Sequence, residues 1–298
     1  MQYHVPVLLN ESVGGLEVKA DGVYVDVTFG GGGHAAEILK RIKTGRLIAF
    51  DRDKEAIKNK MTHKRFQLVN QNFIEMKSWL LQNGVGQIDG LIADLGISSH
   101  QIDTAERGFS TRYNSDLDMR MDHQTEFTAK DVLNKYSEKD LVKIFRSYGE
   151  IINATSLAKA LVQVRLDEGI GNVDQFKSVL RRFAKRGKEN KFFAQVFQAL
   201  RIEVNDELSA LKELLQQSAS VIKKGGRLVV ISYHSLEDRL VKRFVESGKF
   251  EGEVDKDFYG NPIREFKAIT RKPIVPSKEE LLRNSRARSA KLRIAEKL

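Results

Sequence analysis

Asp26, Asp51 and Asp94 each lie at or beside the end of a short apolar run, and four consecutive glycines, Gly30 to Gly33, follow the first run. Glycine is needed between a strand and a ligand-binding helix because a side chain would clash with the tight turn and hold the ligand away from the helix N-terminus. Gly30, Gly32 and Ala35 fit the spacing G-x-G-x-x-G/A, and Asp51 falls about 20 residues on, where an acid can take the hydroxyls of a ribose. The same spacing suits a nicotinamide dinucleotide, so Asp26 has to separate the cofactors. Its carboxylate, four residues before the first glycine, would repel a pyrophosphate and stabilise a cation. S-adenosylmethionine carries a sulfonium and an amino group and no phosphate, which makes it the expected cofactor. The other role open to Asp26 is to cap the turn.

A third apolar run leads into Asn70-Gln71-Asn72-Phe73, at the edge where an adenine would lie. Phe73 is placed to pack on the base, or else to start a helix as a core residue. Asp94 opens the stretch DLGISSHQID and faces the same crevice, within reach of both cofactor and substrate. Its small neighbours Gly96, Ser98 and Ser99 leave room for a flat ring.

These residues need a scaffold, and the first third of the chain supplies it by alternating buried apolar runs with helical stretches. Strands are predicted at Val23 to Thr28, Arg46 to Asp51, Phe66 to Val69 and Asp89 to Asp94, with helices at Ala35 to Ile42, Lys54 to Met61 and Ile74 to Leu81. The expected fold is α/β, a Rossmann-like, mostly parallel sheet with crossover helices. From about Thr104 the pattern turns helical: Ala129 to Leu133, Glu138 to Tyr148, Ala154 to Asp167, Val173 to Ala184, and one long helix from Phe192 to Ile222. Phe193, Val196, Phe197, Leu200 and Val204 keep one face of that last helix apolar.

A strand signal returns at Leu228 to Ser232, so the helical block interrupts the sheet domain. The predicted division is 1–103 with 216–298 for the sheet domain and 104–215 for an inserted helical domain. Ser235 to Glu246 reads as a helix, and Phe266 to Thr270 and Ala290 to Ile294 as a final antiparallel pair of strands. Pro273 and Pro276 exclude a helix from the loop between them.

Composition bounds the class. At 298 residues with 41% apolar and 30% charged, the chain is long and apolar enough for a packed core and is not disordered. The absence of Cys rules out disulfides and thiolate zinc sites and fits a reducing cytoplasm. No run approaches the roughly 18 apolar residues of a membrane span, and the N-terminus shows no leader pattern, so neither export nor membrane insertion is expected. The formal charge of +10 biases the protein toward polyanions such as nucleic acid.

The strings HVPVLLNE from His4, TFGGGGH from Thr28, AFDRD from Ala49, DGLIADLGISSHQID from Asp89, ERGFS from Glu106, LDMRMD from Leu117, ISYHSLEDR from Ile231 and RARSAKLRIAE from Arg286 run in order along the chain. Together they closely resemble the bacterial 16S ribosomal RNA cytosine-N4-methyltransferase family. The resemblance implies a class I methyltransferase domain with an inserted all-α domain for RNA recognition. It also implies action on the exocyclic amine of a decoding-centre cytosine of 16S rRNA within the small ribosomal subunit. Carried over by motif, the cofactor contacts are Gly32, Gly33, His34, Asp51, Phe73, Asp94 and Gln101. Two positions depart from the family pattern: Gly31 stands where a larger residue is usual, and His100 where proline is frequent, just before Gln101.

Methyl transfer from a sulfonium is an in-line displacement that needs alignment in a dry crevice. No metal is needed, and the six His show no paired ligand spacing. The lone pair of a cytosine amine is delocalised into the ring, so an acceptor for the amine N–H that localises it is useful. Asp94 is the leading catalytic candidate for that acceptor. Leu95-Gly96-Ile97 replaces the usual Pro-Pro-aromatic after the acid, so the stacking aromatic has to come from elsewhere. Tyr233 and His234 are the candidates, with His234 also a second catalytic candidate. Their other reading is helix packing, with a capping box from Ser235 to Asp238.

A target base has to be turned out of its stack, which calls for basic residues on the RNA backbone. Two runs qualify: Arg181, Arg182, Lys185, Arg186, Lys188 and Lys191 on the insert, and Arg283, Arg286, Arg288, Lys291 and Arg293 near the C-terminus. Arg107, Phe109, Arg112 and Arg120 mark a loop that could close on substrate. The alternatives to a methyltransferase are a non-catalytic ribosome-binding assembly factor and, further off, a nicotinamide oxidoreductase. The sequence leaves the oligomeric state open, a homodimer included.

Overall fold

A computed structural model describes residues 6–298, so the first two residues of the string at His4 lie outside the described part. The chain forms two compact units, Met1–Gly96 with Leu208–Leu298, and Ile97–Glu207.

The first unit is built on strands β1 (Val23–Asp26), β2 (Arg46–Phe50), β3 (Phe66–Val69), β4 (Ile88–Asp94), β5 (Ile222–Ser232), β6 (Phe266–Ala268) and β7 (Lys291–Lys297). They make a 7-stranded sheet in the order β3-β2-β1-β4-β5-β7-β6. β1 to β5 pair in parallel, and β7 runs antiparallel to both of its neighbours. This is the class I methyltransferase arrangement that the resemblance implied. β7 is the reversed strand, and β6 pairs with it at the edge, as the predicted final antiparallel pair.

The period of two along each strand divides the core between the faces of the sheet. Val25, Ile48, Phe50, Leu91, Ala93, Leu228 and Val230 belong to one buried cluster. Their immediate neighbours Tyr24, Leu47, Ala49, Ile92, Val229 and Ile231 belong to another. Helices α1 (Leu9–Gly15) and α2 (Gly33–Arg41) precede and follow β1, and α3 (Met76–Gln82) precedes β4. Ile38 and Leu39 of α2 close the second cluster, and Met76 and Leu80 of α3 the first. Sheets covered on both faces read as unbroken apolar runs, which is why these strands stood out in the sequence. The strand order reverses on either side of β1, so the carboxyl ends of β1 and β4 open a crevice of the kind that binds ligands.

The second unit contains α4 (Ser99–Asp103), α5 (Ala129–Lys135), α6 (Glu138–Ser147), α7 (Ala154–Asp167), α8 (Val173–Arg181) and α9 (Glu189–Asn205). Phe145, Leu157, Leu161, Phe176, Leu180 and Leu200 are fully buried in its core. The single helix predicted from Phe192 to Ile222 is two. Asp206 takes a left-handed φ of 47° and ends α9, after which α10 (Glu207–Val221) begins. Leu211, Leu214 and Leu215 of α10 join the core of the sheet. The units accordingly divide at Ile97 and Leu208, whereas the sequence pointed to 104 and 215.

Asn205, buried at the end of α9, accepts a hydrogen bond from Met121 N at 2.7 Å and donates to Met119 O at 2.7 Å and Arg201 O at 2.9 Å. Alanine there strands buried backbone groups. Asn205→Ala is expected to cost about 2–3 kcal/mol of stability, read as an earlier urea midpoint with unchanged slope.

Other elements differ from expectation in ways that have local causes. Lys54 to Asn59 forms a 3₁₀ helix, with Asp53 accepting from Glu55 N at 3.0 Å. α11 (Ser235–Ser247) and α12 (Lys278–Arg283) complete the first unit. α12 falls inside the segment that the prolines were expected to keep free of helix. It starts beyond Pro276, where the Ser277 hydroxyl accepts from Glu280 N at 3.1 Å. The substrate-loop arginines are engaged within their own unit. Arg120 forms two 2.8 Å bonds to the Asp118 carboxylate, and Arg107 donates to the carbonyls of Arg120 and Met121.

Candidate active site

The glycine turn is held from both sides before any ligand arrives. Gly30 N donates to Asp51 Oδ2 at 2.7 Å, Asn59 Nδ2 donates to Gly30 O at 2.9 Å, and Gly32 N donates to Phe29 O at 2.7 Å. Gly30 and Gly32 have φ of 49° and 76°, in the left-handed region that favours glycine. A side chain at Gly33 would strike the Pro6 ring. Pro6 therefore lies against the start of α2, a contact that the sequence did not announce.

Three carboxylates converge at the ends of β1, β2 and β4. Asp26 is 2% exposed and accepts from Thr28 N at 3.1 Å, and burial pushes its pKa up to about 6 against the pull of His34. Asp51 accepts from Asp53 N at 2.8 Å in addition to Gly30 N, and burial raises it as well, to about 6. Asp94 N donates to the Thr28 hydroxyl at 2.6 Å, and Asp94 Oδ1 accepts from the Tyr233 hydroxyl at 2.7 Å. Burial and the adjacent Asp94 carboxylate push the Tyr233 hydroxyl far above the ordinary tyrosine range, so it stays a donor.

His34 lies among these acids. Its Nε2 is 3.1 Å from Val7 O, a group that can only accept, so that nitrogen carries the proton. Its Nδ1 is 3.9 Å from Asp94 Oδ2. Burial lowers the imidazole pKa although Asp26 opposes the shift, which favours the neutral ring. Phe73 is half-buried at the start of a 3₁₀ turn, where Asn72 Oδ1 accepts from Ile74 N at 3.2 Å, and it packs against the core of the sheet.

The two remaining candidates stand in helix caps. Gln101 belongs to the helical unit and caps α4: its Oε1 accepts from Ser98 N at 3.0 Å while its own N–H donates to the Ser98 hydroxyl. His234 caps α11, with Glu237 Oε2 accepting from Tyr233 N at 2.9 Å and from His234 N at 3.3 Å. The capping box is thus His234 with Glu237, and the expected pair Ser235 with Asp238 is corrected. Asp238 instead receives Lys291 at 3.2 Å and Arg293 at 2.6 Å, which removes these two cations from the C-terminal basic run. The basic residues of the insert, from Arg181 to Lys191, are exposed.

The model for the MraW methylase family matches residues 1–298. A Cytophaga hutchinsonii protein, ribosomal RNA small subunit methyltransferase H, is 58% identical over 297 residues, which cover 99% of each chain. The chain belongs to the MraW methylase family. Its Flavobacterium johnsoniae relative of the same name is 53% identical, over 100% of this chain and 99% of that one. An rRNA methylase of Streptococcus thermophilus with a solved structure aligns over 99% of both chains, at 12% identity and a TM-score of 0.43.

The crevice of this MraW methylase suits S-adenosylmethionine on its own chemistry. Two buried carboxylates with pKa values near 6 are mostly ionised at neutral pH, at a desolvation cost that a bound cation offsets. No such relief comes from a pyrophosphate. Asp51, at the end of β2, accepts one backbone N–H on each oxygen, and Asp26 is buried beside it at the end of β1.

Proposed function

We propose that the protein methylates the exocyclic N4 amine of a decoding-centre cytosine in 16S rRNA, with S-adenosylmethionine as methyl donor and the small ribosomal subunit as substrate. The observation that carries this reading is full-length identity of 58% to a ribosomal RNA small subunit methyltransferase H. The crevice chemistry supports it, because it offers carboxylates to a cation and an acceptor to an amine. The exposed basic run of the helical insert is the proposed contact with the RNA backbone.

S-adenosylmethionine, when bound, supplies an electrophilic methyl carbon on a sulfonium. Gly32, Gly33 and His34 would form the turn that holds it, Asp51 would take the ribose hydroxyls, and Phe73 would pack on the adenine. Asp26 holds the positive end. Asp94 accepts an N–H of the target amine and so localises the nitrogen lone pair for in-line attack. The nitrogen forms the N–C bond as the C–S bond breaks. The proton then released passes to the Asp94 carboxylate and on to water.

Small subunits lacking the modification, incubated with enzyme and labelled S-adenosylmethionine, are expected to gain one methyl group on a cytosine amine. Nuclease digestion and mass mapping of the nucleoside read out base and position together. Label on another base or on a ring carbon would overturn the reading, and stable binding with no label would favour an assembly factor.

A further inference from the structure

The pairing of Tyr233 with Asp94 goes beyond what the sequence implied for either residue. Tyr233 was a candidate to stack on the target base, yet its hydroxyl is spent on Asp94 Oδ1 at 2.7 Å. The contact depends on Gly96, whose φ of 93° turns the chain after β4 and whose missing side chain leaves the Tyr233 ring in place. A Cβ there would lie 3.3 Å from the ring. Residues 94, 96 and 233 thus form one arrangement at the carboxyl ends of β4 and β5, which pair Asp94 with Ile231.

We infer, on the functional reading above, that Tyr233 is a positioning residue for methyl transfer: its hydroxyl, 2.7 Å from Asp94 Oδ1, fixes the orientation in which the carboxylate meets the target amine. The Asp94 carboxylate sits in a negative field. Asp26 on β1 repels its charge, Asp51 on β2 adds to the negative field around Asp26, and His34 on α2 is held toward its neutral form by burial. Glu237 on α11 and Glu280 on α12 bear on the Tyr233 hydroxyl from the other side and, with burial, keep it protonated. A phenol donor favours the charged form of its acceptor, and removing it returns the proton to Asp94 at a higher pH. It also frees the carboxylate to rotate away from the productive orientation.

The test is Tyr233→Phe, which keeps the ring against Gly96 and removes one oxygen. Transfer to unmodified small subunits is measured from about pH 5.5 to 9, with S-adenosylmethionine affinity taken by calorimetry. The expected result is a kcat about threefold lower near pH 8 and more than about tenfold lower near pH 6, with KM for both substrates within about twofold. The acid limb of the profile moves to higher pH. A profile parallel to that of the wild type, whether lowered or not, overturns the positioning role and leaves the methyltransferase reading standing. A wild-type enzyme that binds the cofactor but transfers no methyl at any pH overturns the reading, and the role of Tyr233 falls with it.

Discussion

Asp26→Asn is expected to stabilise the ligand-free protein at neutral pH while weakening S-adenosylmethionine binding by about a hundredfold. Both effects follow from one buried charge. Asp26 is held at a pKa of about 6 in the folded chain against an ordinary aspartate value of 3.8. The folded state therefore binds this proton more tightly than the unfolded state does. The group is least unfavourable to folding below about pH 3.8. Its cost grows as pH rises between 3.8 and about 6, and is fully present above. A shift of this size corresponds to on the order of 2–3 kcal/mol at pH 7.5. Asparagine removes that cost and can still accept from Thr28 N, which the aspartate does at 3.1 Å.

Thermal unfolding at pH 7.5 should show a gain of several degrees for the sheet unit, and calorimetry the loss of cofactor affinity. The same reasoning predicts that wild-type affinity declines as pH falls through about 6, where Asp26 and Asp51 protonate. A variant that is destabilised, or that binds the cofactor as the wild type does, would sink the assignment of Asp26 to the cationic end.

How much of this was legible beforehand depended on the range of each interaction. β1, β2, β4 and the Leu228 to Ser232 part of β5 were readable because their residues are largely buried, and the acids at the ends of β1, β2 and β4 marked the crevice. The long helix from Phe192 hid its break. Asn205-Asp206-Glu207 contains neither glycine nor proline, and Asp is among the few residues that tolerate the left-handed conformation seen at 206. α1 escaped notice because it is 7 residues long and ends in two glycines. The cap of α11 was hidden because histidine is not among the usual capping residues, whereas Ser235-x-x-Asp238 has the same pattern as the Thr128–Asp131 box that does form. Arg120 was grouped with a loop that could close on substrate, and a basic residue looks free in a sequence. Asp118, two positions away, had already claimed it. The pairing of Asp94 with Tyr233 spans 139 residues and had no local trace, so only the register of β4 on β5 brings it into view.

The largest kinetic effect is expected from Asp94→Asn. The side chain keeps its shape and one oxygen, so folding and the Thr28 contact to the backbone of residue 94 should persist. Its charge is gone, and with the carbonyl oxygen facing Tyr233 the amide presents N–H groups to an amine that also offers N–H. Two donors face each other where an acceptor is required. Flipping the amide would restore an acceptor to the substrate only by turning its NH₂ toward the Tyr233 oxygen, which would then have to give up its role as donor. Turnover should fall by about 10²–10³, in the range found when one preorganised electrostatic partner of a transition state is removed. Cofactor affinity should change by less than about tenfold. The double variant with Tyr233→Phe is informative because Tyr233 acts through Asp94: once the carboxylate is absent, loss of the phenol should cost little more, a coupling that a double-mutant cycle measures directly. Additive losses would separate the two residues, and an Asp94→Asn enzyme with wild-type single-turnover rates would take the carboxylate out of the reaction.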